Sequence, residues 1–145
     1  MDFELTPQVP MQKFLRLEFL PVNTDLGLLV LRLVLGGSMF WLHGWGKLLN
    51  FINGRSSFSD VLGIGETPTL LLAIFAEAIC SILIVLGAFT RLAACFVGAT
   101  MGVAFILVHN ARLTGPGNGE LAFLYLLGAV VLLLAGAGKY SIDKK

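Results

Sequence analysis

The sequence is poor in charge, in cysteine and in any excess of one sign. Only 13% of its 145 residues are Asp, Glu, Lys or Arg, about half the share usual in a soluble domain. Mean hydropathy is +0.87, and 57% of the positions are apolar. An ordinary water-soluble domain is thereby excluded and the chain belongs in a membrane. Ten Lys and Arg against nine Asp and Glu leave a formal charge of +1, and the basic residues are scattered, which excludes a nucleic-acid partner. The two cysteines, Cys80 and Cys95, lie inside apolar runs without a C-x-x-C, so neither a disulfide framework nor a zinc ribbon is available. No H-E-x-x-H, G-x-S-x-G or phosphate loop occurs, and no metal site is expected.

What the sequence has in quantity is long apolar runs. A membrane span needs roughly 20 apolar residues, and four stretches qualify: Leu26–Leu49, Thr69–Phe89, Leu92–His109 and Leu121–Ala137. The expected fold is all-α, an integral membrane four-helix bundle, up-and-down because short turns join neighbouring spans. Residues 1–24 form an N-terminal cytoplasmic or interfacial segment, and 25–145 one transmembrane domain. Thr67 and Pro68 are expected to cap and open the second span, Thr90 to cap the third, and the run Gly115, Pro116, Gly117, Asn118, Gly119 to separate the third from the fourth. The opening Met1, Asp2, Phe3, Glu4 carries no basic stretch, so the first apolar run reads as an anchor rather than a signal peptide.

Two segments outside the spans are amphipathic. Met11–Leu20 suits either a helix lying in the interface or a loose tail. Asn50–Glu66 is expected to fold over the mouth of the bundle. Basic residues outside the spans divide six (Lys13, Arg16, Arg91, Lys139, Lys144, Lys145) to three (Lys47, Arg55, Arg112), which places both termini in the cytoplasm.

Ionisable groups inside a span cost roughly 2.5 to 3.5 kcal/mol each on insertion scales and default to functional hypotheses. The candidates are Arg32, His43, Lys47, Glu77, His109 and Glu120. At about 100° per residue, Arg32 to His43 advances about 1,100°, within about 20° of whole turns, and Lys47 lies about 60° from Arg32. The three share a face that points into the bundle. Rise arithmetic puts Glu77 near mid-membrane, with His43, Lys47, His109 and Glu120 in the outer half. Arg32 stands about 9 Å from Glu77 in height, a gap extended side chains can close, so Arg32 and Glu77 are expected to pair and are the catalytic candidates. The plainer readings are a structural Arg32–Glu77 pair, snorkelling for Lys47, and a favourable helix dipole for Glu120 and His109. Ala94, Gly98 and Gly102 form a small-residue stripe suited to close packing, within the bundle or against another subunit. Trp41, Trp45 and Tyr140 fit aromatic belts, with Trp45 also available to wall a pocket.

Arg32, the run from His43 through Gly44, Trp45 and Gly46 to Lys47, Glu77, the turn Gly87–Arg91, His109 and the closing Gly138–Asp143 together resemble the DoxX family of small bacterial four-helix membrane proteins, over about Leu26 to Asp143. The resemblance implies that Arg32, Lys47, Glu77, Arg91 and His109 match the family's polar pattern. It also implies a bacterial inner-membrane protein and a link to quinone chemistry, since the family takes its name from a subunit associated with quinone-reducing sulfur oxidation. The bundle is similar in architecture to vitamin K epoxide reductase and the disulfide-forming membrane oxidases, but their paired reactive cysteines are absent.

The leading expectation is a redox-associated protein that binds a quinone as cofactor. In it His43, Lys47, Glu77, His109 and Glu120 serve as ligand-binding residues, Glu77 moves protons, Arg32 holds Glu77 ionised, and electrons come from a partner. The alternative is a structural or assembly subunit of a larger membrane complex, with a small transporter third. The expected partners are the lipid bilayer and other membrane subunits.

Overall fold

The computed structural model describes residues 11–55 and 57–143; Lys144 and Lys145, two of the counted basic residues, lie outside them. The described residues hold helices and turns with no strand. A one-and-a-half-turn helix, α1 (Met11–Leu15), is exposed with Phe14 and Leu15 outward. It is shorter than the ten-residue interfacial helix the pattern allows.

Four long helices follow: α2 (Thr24–Ile52), α3 (Glu66–Leu86), α4 (Thr90–Val108) and α5 (Glu120–Ala135). By the rise of 1.5 Å per residue they measure about 43, 31, 28 and 24 Å against a hydrocarbon core of about 30 Å. The fourth is short because Gly136, at φ +79°, stops it. One core of Leu28, Leu35, Met39, Ile84, Val97, Met101, Ala129 and Leu132 joins all four helices. Large apolar side chains such as Val34, Trp41, Leu72, Leu107 and Leu134 face outward, the surface a bilayer requires. The stripe on α4 packs within the chain: Ala94 is buried, and a Cβ on Gly98 would touch Ala129 and Leu126 of α5.

The helix limits depend on caps that propensity alone does not reveal. The Asn23 side chain accepts from Leu26 N–H at 2.9 Å and opens α2. The α3 helix begins at Glu66, ahead of the expected Thr67–Pro68 start. Its entrance is organised by Asp60, whose carboxylate accepts from Ile64 N–H (3.0 Å), Gly65 N–H (2.8 Å) and the Thr69 hydroxyl (3.0 Å). The described residues of the loop, 53–55 and 57–65, are turns and irregular backbone. The loop does fold over the bundle mouth, where Phe58, Val61 and Leu62 line the cavity beneath it, Leu62 staying partly exposed.

Asp60 is thus a loop clamp, and its hydrogen bonds, that from Gly65 N–H first, hold its carboxyl below the usual aspartate range. A lowered value means the clamp is complete above the ordinary aspartate pKa of about 3.9 and is lost as pH falls through the lowered one. Asp60→Asn imitates the protonated state at neutral pH. Trypsin cleavage after the exposed Arg55 is expected to accelerate severalfold in that variant, and an unchanged rate would mean the clamp does not hold the loop.

The opposite end of the bundle is closed by the chain's last described residues. Gly87, at φ +69°, ends α3 with the Ala88 N–H to Leu83 carbonyl bond (2.9 Å) of a Schellman turn. The cap of α4 comes from Asp143 rather than Thr90: its carboxylate accepts from Phe89 N–H (2.7 Å) and Thr90 N–H (2.8 Å). Asp25 on α2 accepts from Lys139 N–H at 2.8 Å, and Asp143 N–H donates to the Gly87 carbonyl at 2.8 Å. Gly138–Asp143 is therefore a strap across the α3–α4 turn.

Three π-helical turns interrupt the long helices, at Phe40–Gly44 in α2, Phe75–Cys80 in α3 and Ala104–Val108 in α4. Such turns break the regular hydrogen-bond ladder and are frequent at functional sites. Here they hold His43 and Glu77 and immediately precede His109.

Candidate functional site

A cavity of about 620 Å³ lies in the half of the bundle nearer the α2–α3 loop, within the size range of small-molecule sites. Most of its lining is apolar, from Leu72, Ala73, Phe75, Phe96, Met101 and Ala122 among others. Its polar groups are His43, Lys47, Thr69, Glu77, Thr100, His109, Asn118 and Tyr125. Four sequence candidates, His43, Lys47, Glu77 and His109, thus meet at one cavity.

Glu77 is buried, and its carboxylate forms an ion pair with the Lys47 ammonium. Lys47 keeps about a quarter of its side-chain surface and lies 5.9 Å from the centre of the Phe58 ring on the covering loop. The two helices approach closely at this level because residue 44 is glycine: a Cβ there would collide with the Glu77 carbonyl and Ala78 Cα. The two π turns of α2 and α3 meet at that contact.

His43 stands edge-on to the Tyr125 ring, centroids 5.7 Å apart and planes at 88°. Its Nε2 is buried and has no hydrogen-bond partner among the described residues. Leaving such an atom unpaired costs roughly 1 to 3 kcal/mol. Tyr125 donates to the Ser38 hydroxyl (2.9 Å), which donates to the Val34 carbonyl (2.5 Å), so the ring is held from behind. His109 is held by its own loop, Nδ1 lying 2.8 Å from the Gly117 carbonyl, which leaves Nε2 as its other polar atom.

Arg32 is not part of this site, and the expected Arg32–Glu77 pair is not formed. The guanidinium is fully buried at the other end of the bundle. There Nη1 donates to the Ile84 (3.5 Å) and Val85 (3.4 Å) carbonyls and Nη2 to that of Tyr140. Ile84 is seven residues beyond Glu77, about 10 Å farther along α3. Helical side chains lean toward the N-terminus of their helix. On α2 that slant carries the Arg32 head group away from Glu77 and the Lys47 head group down to it.

Glu120, expected among the ligand-binding residues, is exposed in the first turn of α5 and does not line the cavity, a position the helix dipole favours by itself. Trp45 packs on Phe40 (5.8 Å) instead of walling the cavity. Arg91 donates from Nε to the Leu133 carbonyl at 2.8 Å, tying α4 to the end of α5. The cysteines are free, Cys80 buried and Cys95 exposed. Tyr125 went unnoticed in the sequence, although it is the one tyrosine inside an apolar run, where a hydroxyl calls for a partner.

Comparison with known proteins agrees with this architecture. The DoxX family model matches residues 27–110. The chain belongs to the DoxX family. This DoxX-family chain is 37% identical over 115 residues to an uncharacterized protein of Haemophilus influenzae, covering 74% of the chain and 81% of that relative. It is 34% identical over 116 residues to inner membrane protein YphA of Escherichia coli, with the same two coverages. No solved structure matches it at a significant level. The DoxX match includes Arg32, His43, Lys47, Glu77 and His109 and stops before Tyr125 and the C-terminal strap.

Proposed function

We propose that this DoxX-family protein binds a quinone-class ring in the polar-floored cavity and serves a membrane redox system from there. The observation that carries the reading is the buried, unpaired Nε2 of His43 in the lining of a mostly apolar cavity of about 620 Å³. A quinone carbonyl supplies the missing acceptor, and the ring finds aromatic and aliphatic neighbours in Tyr125, Phe75 and Met101. Reduction of a quinone to a quinol takes two electrons and two protons. The Lys47–Glu77 pair is placed to exchange those protons with a head group at His43, and His109 offers a second polar contact. Electrons come from a partner subunit, because the sequence carries no haem, flavin or cluster motif.

The setting is the bacterial inner membrane, a reading supported by the name of the Escherichia coli relative and by apolar helices of spanning length. Both termini face the cytoplasm on the six-to-three division of basic residues, which puts the cavity in the periplasmic half.

Two measurements test the reading. Mass spectrometry of gently solubilised protein should detect co-purifying quinone, and titration of the purified protein with a ubiquinone should saturate. His43→Ala is expected to weaken that binding by roughly tenfold, about 1.4 kcal/mol, while Arg32→Lys leaves it unchanged. Absence of bound quinone together with a flat titration would remove the proposal. Co-purifying subunits without quinone would favour an assembly role instead.

A further inference from the structure

Two sides of the cavity differ in kind. Toward the aqueous side it is covered by Phe58, Val61 and Leu62 of the loop that Asp60 clamps. Toward the lipid it has no complete wall. The α3 helix packs on α4 along Phe75–Leu86 but separates from it over Glu66–Ile74. Leu72 of α3 and Ala99 of α4 border that separation and Phe75 and Phe96 close its inner end; all four line the cavity while also being exposed on the outer surface of the bundle. Phe75 and Phe96 meet edge to face across the gap, centroids 5.1 Å apart and planes at 87°. The side chains that border the gap at Leu72, Phe75, Phe96 and Ala99 are apolar, and the cavity behind them holds His43, Lys47 and Glu77.

From this pairing of a covered aqueous mouth with an unwalled lipid side, we infer that the α3–α4 gap is a lateral portal, and that the ligand is a single-tailed amphiphile whose hydrocarbon tail occupies it. The inference rests on the quinone reading above and deepens it: the polar head seats at His43, Lys47 and Glu77, and the tail passes over the Phe75–Phe96 pair, beside Leu72 and Ala99, into the bilayer. A ligand arriving from water would have to displace three apolar side chains and break the Asp60 clamp. One arriving from the bilayer exchanges hydrocarbon for hydrocarbon along the gap and passes only a pair of rings held by a weak edge-to-face contact.

The test uses the full chain in lipid nanodiscs with two probes, a long-tailed ubiquinone and its tail-less dimethoxy-methyl benzoquinone head. Ala99→Trp places a bulky ring in the gap at an exposed position, where folding tolerates it. The wild-type chain should bind both probes and prefer the tailed one. Ala99→Trp should lose roughly tenfold or more in affinity for the tailed probe while holding the tail-less one within about twofold. Phe96→Ala, which widens the gap, should retain the tailed probe and raise its association rate. Loss of both probes alike in Ala99→Trp, or of neither, overturns the portal and leaves the quinone reading standing. A wild-type chain that binds neither probe overturns both.

Discussion

Lys47→Met is expected to destabilise the protein by about 3 to 5 kcal/mol, the usual cost of removing one partner of a buried ion pair, because it strands a carboxylate with almost no access to water. Glu77→Gln should cost less. The Lys47 ammonium it leaves behind retains about a quarter of its side-chain surface and sits within two turns of the end of α2, from where its stem can carry the charge outward. Combining Lys47→Met with Glu77→Gln removes both charges and should recover most of the loss, giving a coupling energy well above the roughly 0.5 kcal/mol scatter of independent sites. Thermal melting of the four chains in one detergent measures it. Additive losses would mean that the pair is not coupled. Quinone titration of the folded double variant then separates two roles. Binding lost with stability restored makes the pair part of the ligand floor, and binding kept makes it a brace between α2 and α3.

The same logic applied to Arg32 and Glu77 should return no coupling, and the reason shows what the sequence reveals. The spans and the inward face of Arg32, His43 and Lys47 are legible because hydropathy and the 3.6-residue period act at the level of the backbone. The convergence of His43, Lys47, Glu77 and His109 follows from the same geometry. Pairing is different, because it is decided by where a long side chain ends. Heights computed from Cα positions ignore the lean of helical side chains, and on α2 that lean sends Arg32 and Lys47 head groups about one turn toward the helix start. The π turns lie beyond any periodicity argument, since an extra residue in a turn leaves hydropathy unchanged. Nor does local sequence announce that Asp143 caps α4, because that cap acts across the fold on residues more than 50 positions away; the Asp60 clamp is local, reaching only Ile64, Gly65 and Thr69.

At the other end of the bundle, Arg32→Met is expected to cost about 3 kcal/mol without touching the ligand cavity. Substitution takes the Arg32 donor from three carbonyls; that of Ile84 keeps the Gly87 N–H at 3.1 Å, whereas those of Val85 and Tyr140 lose their partner, and each buried acceptor left unpaired costs roughly 1 to 3 kcal/mol. The lower end of the sum applies because Tyr140 is half exposed and water reaches its carbonyl once the strap loosens. Asp143 is affected as well. Partial burial works to raise its carboxyl, yet the N–H groups of Thr90 and Phe89 and the Arg32 charge hold it below the usual aspartate range. Its contribution is therefore present above that range and lost as pH falls through the lowered value. Without Arg32 the loss should begin at a higher pH. Arg32→Lys keeps the charge but offers one compact head group where a planar fork reaches carbonyls on two elements, so it should recover less than half of the stability. Trypsin cleavage after the exposed Lys139 reports on the strap directly, accelerating in Arg32→Met and only partly slowed in Arg32→Lys. Because Gly87 carries φ +69° and a Cβ there would collide with Arg32 Nη1 and Ser141, Gly87→Ala should release the same strap with Arg32 still present. If Arg32→Met or Gly87→Ala leaves both the melting temperature and the Lys139 cleavage rate unchanged, the strap does not close this end of the bundle.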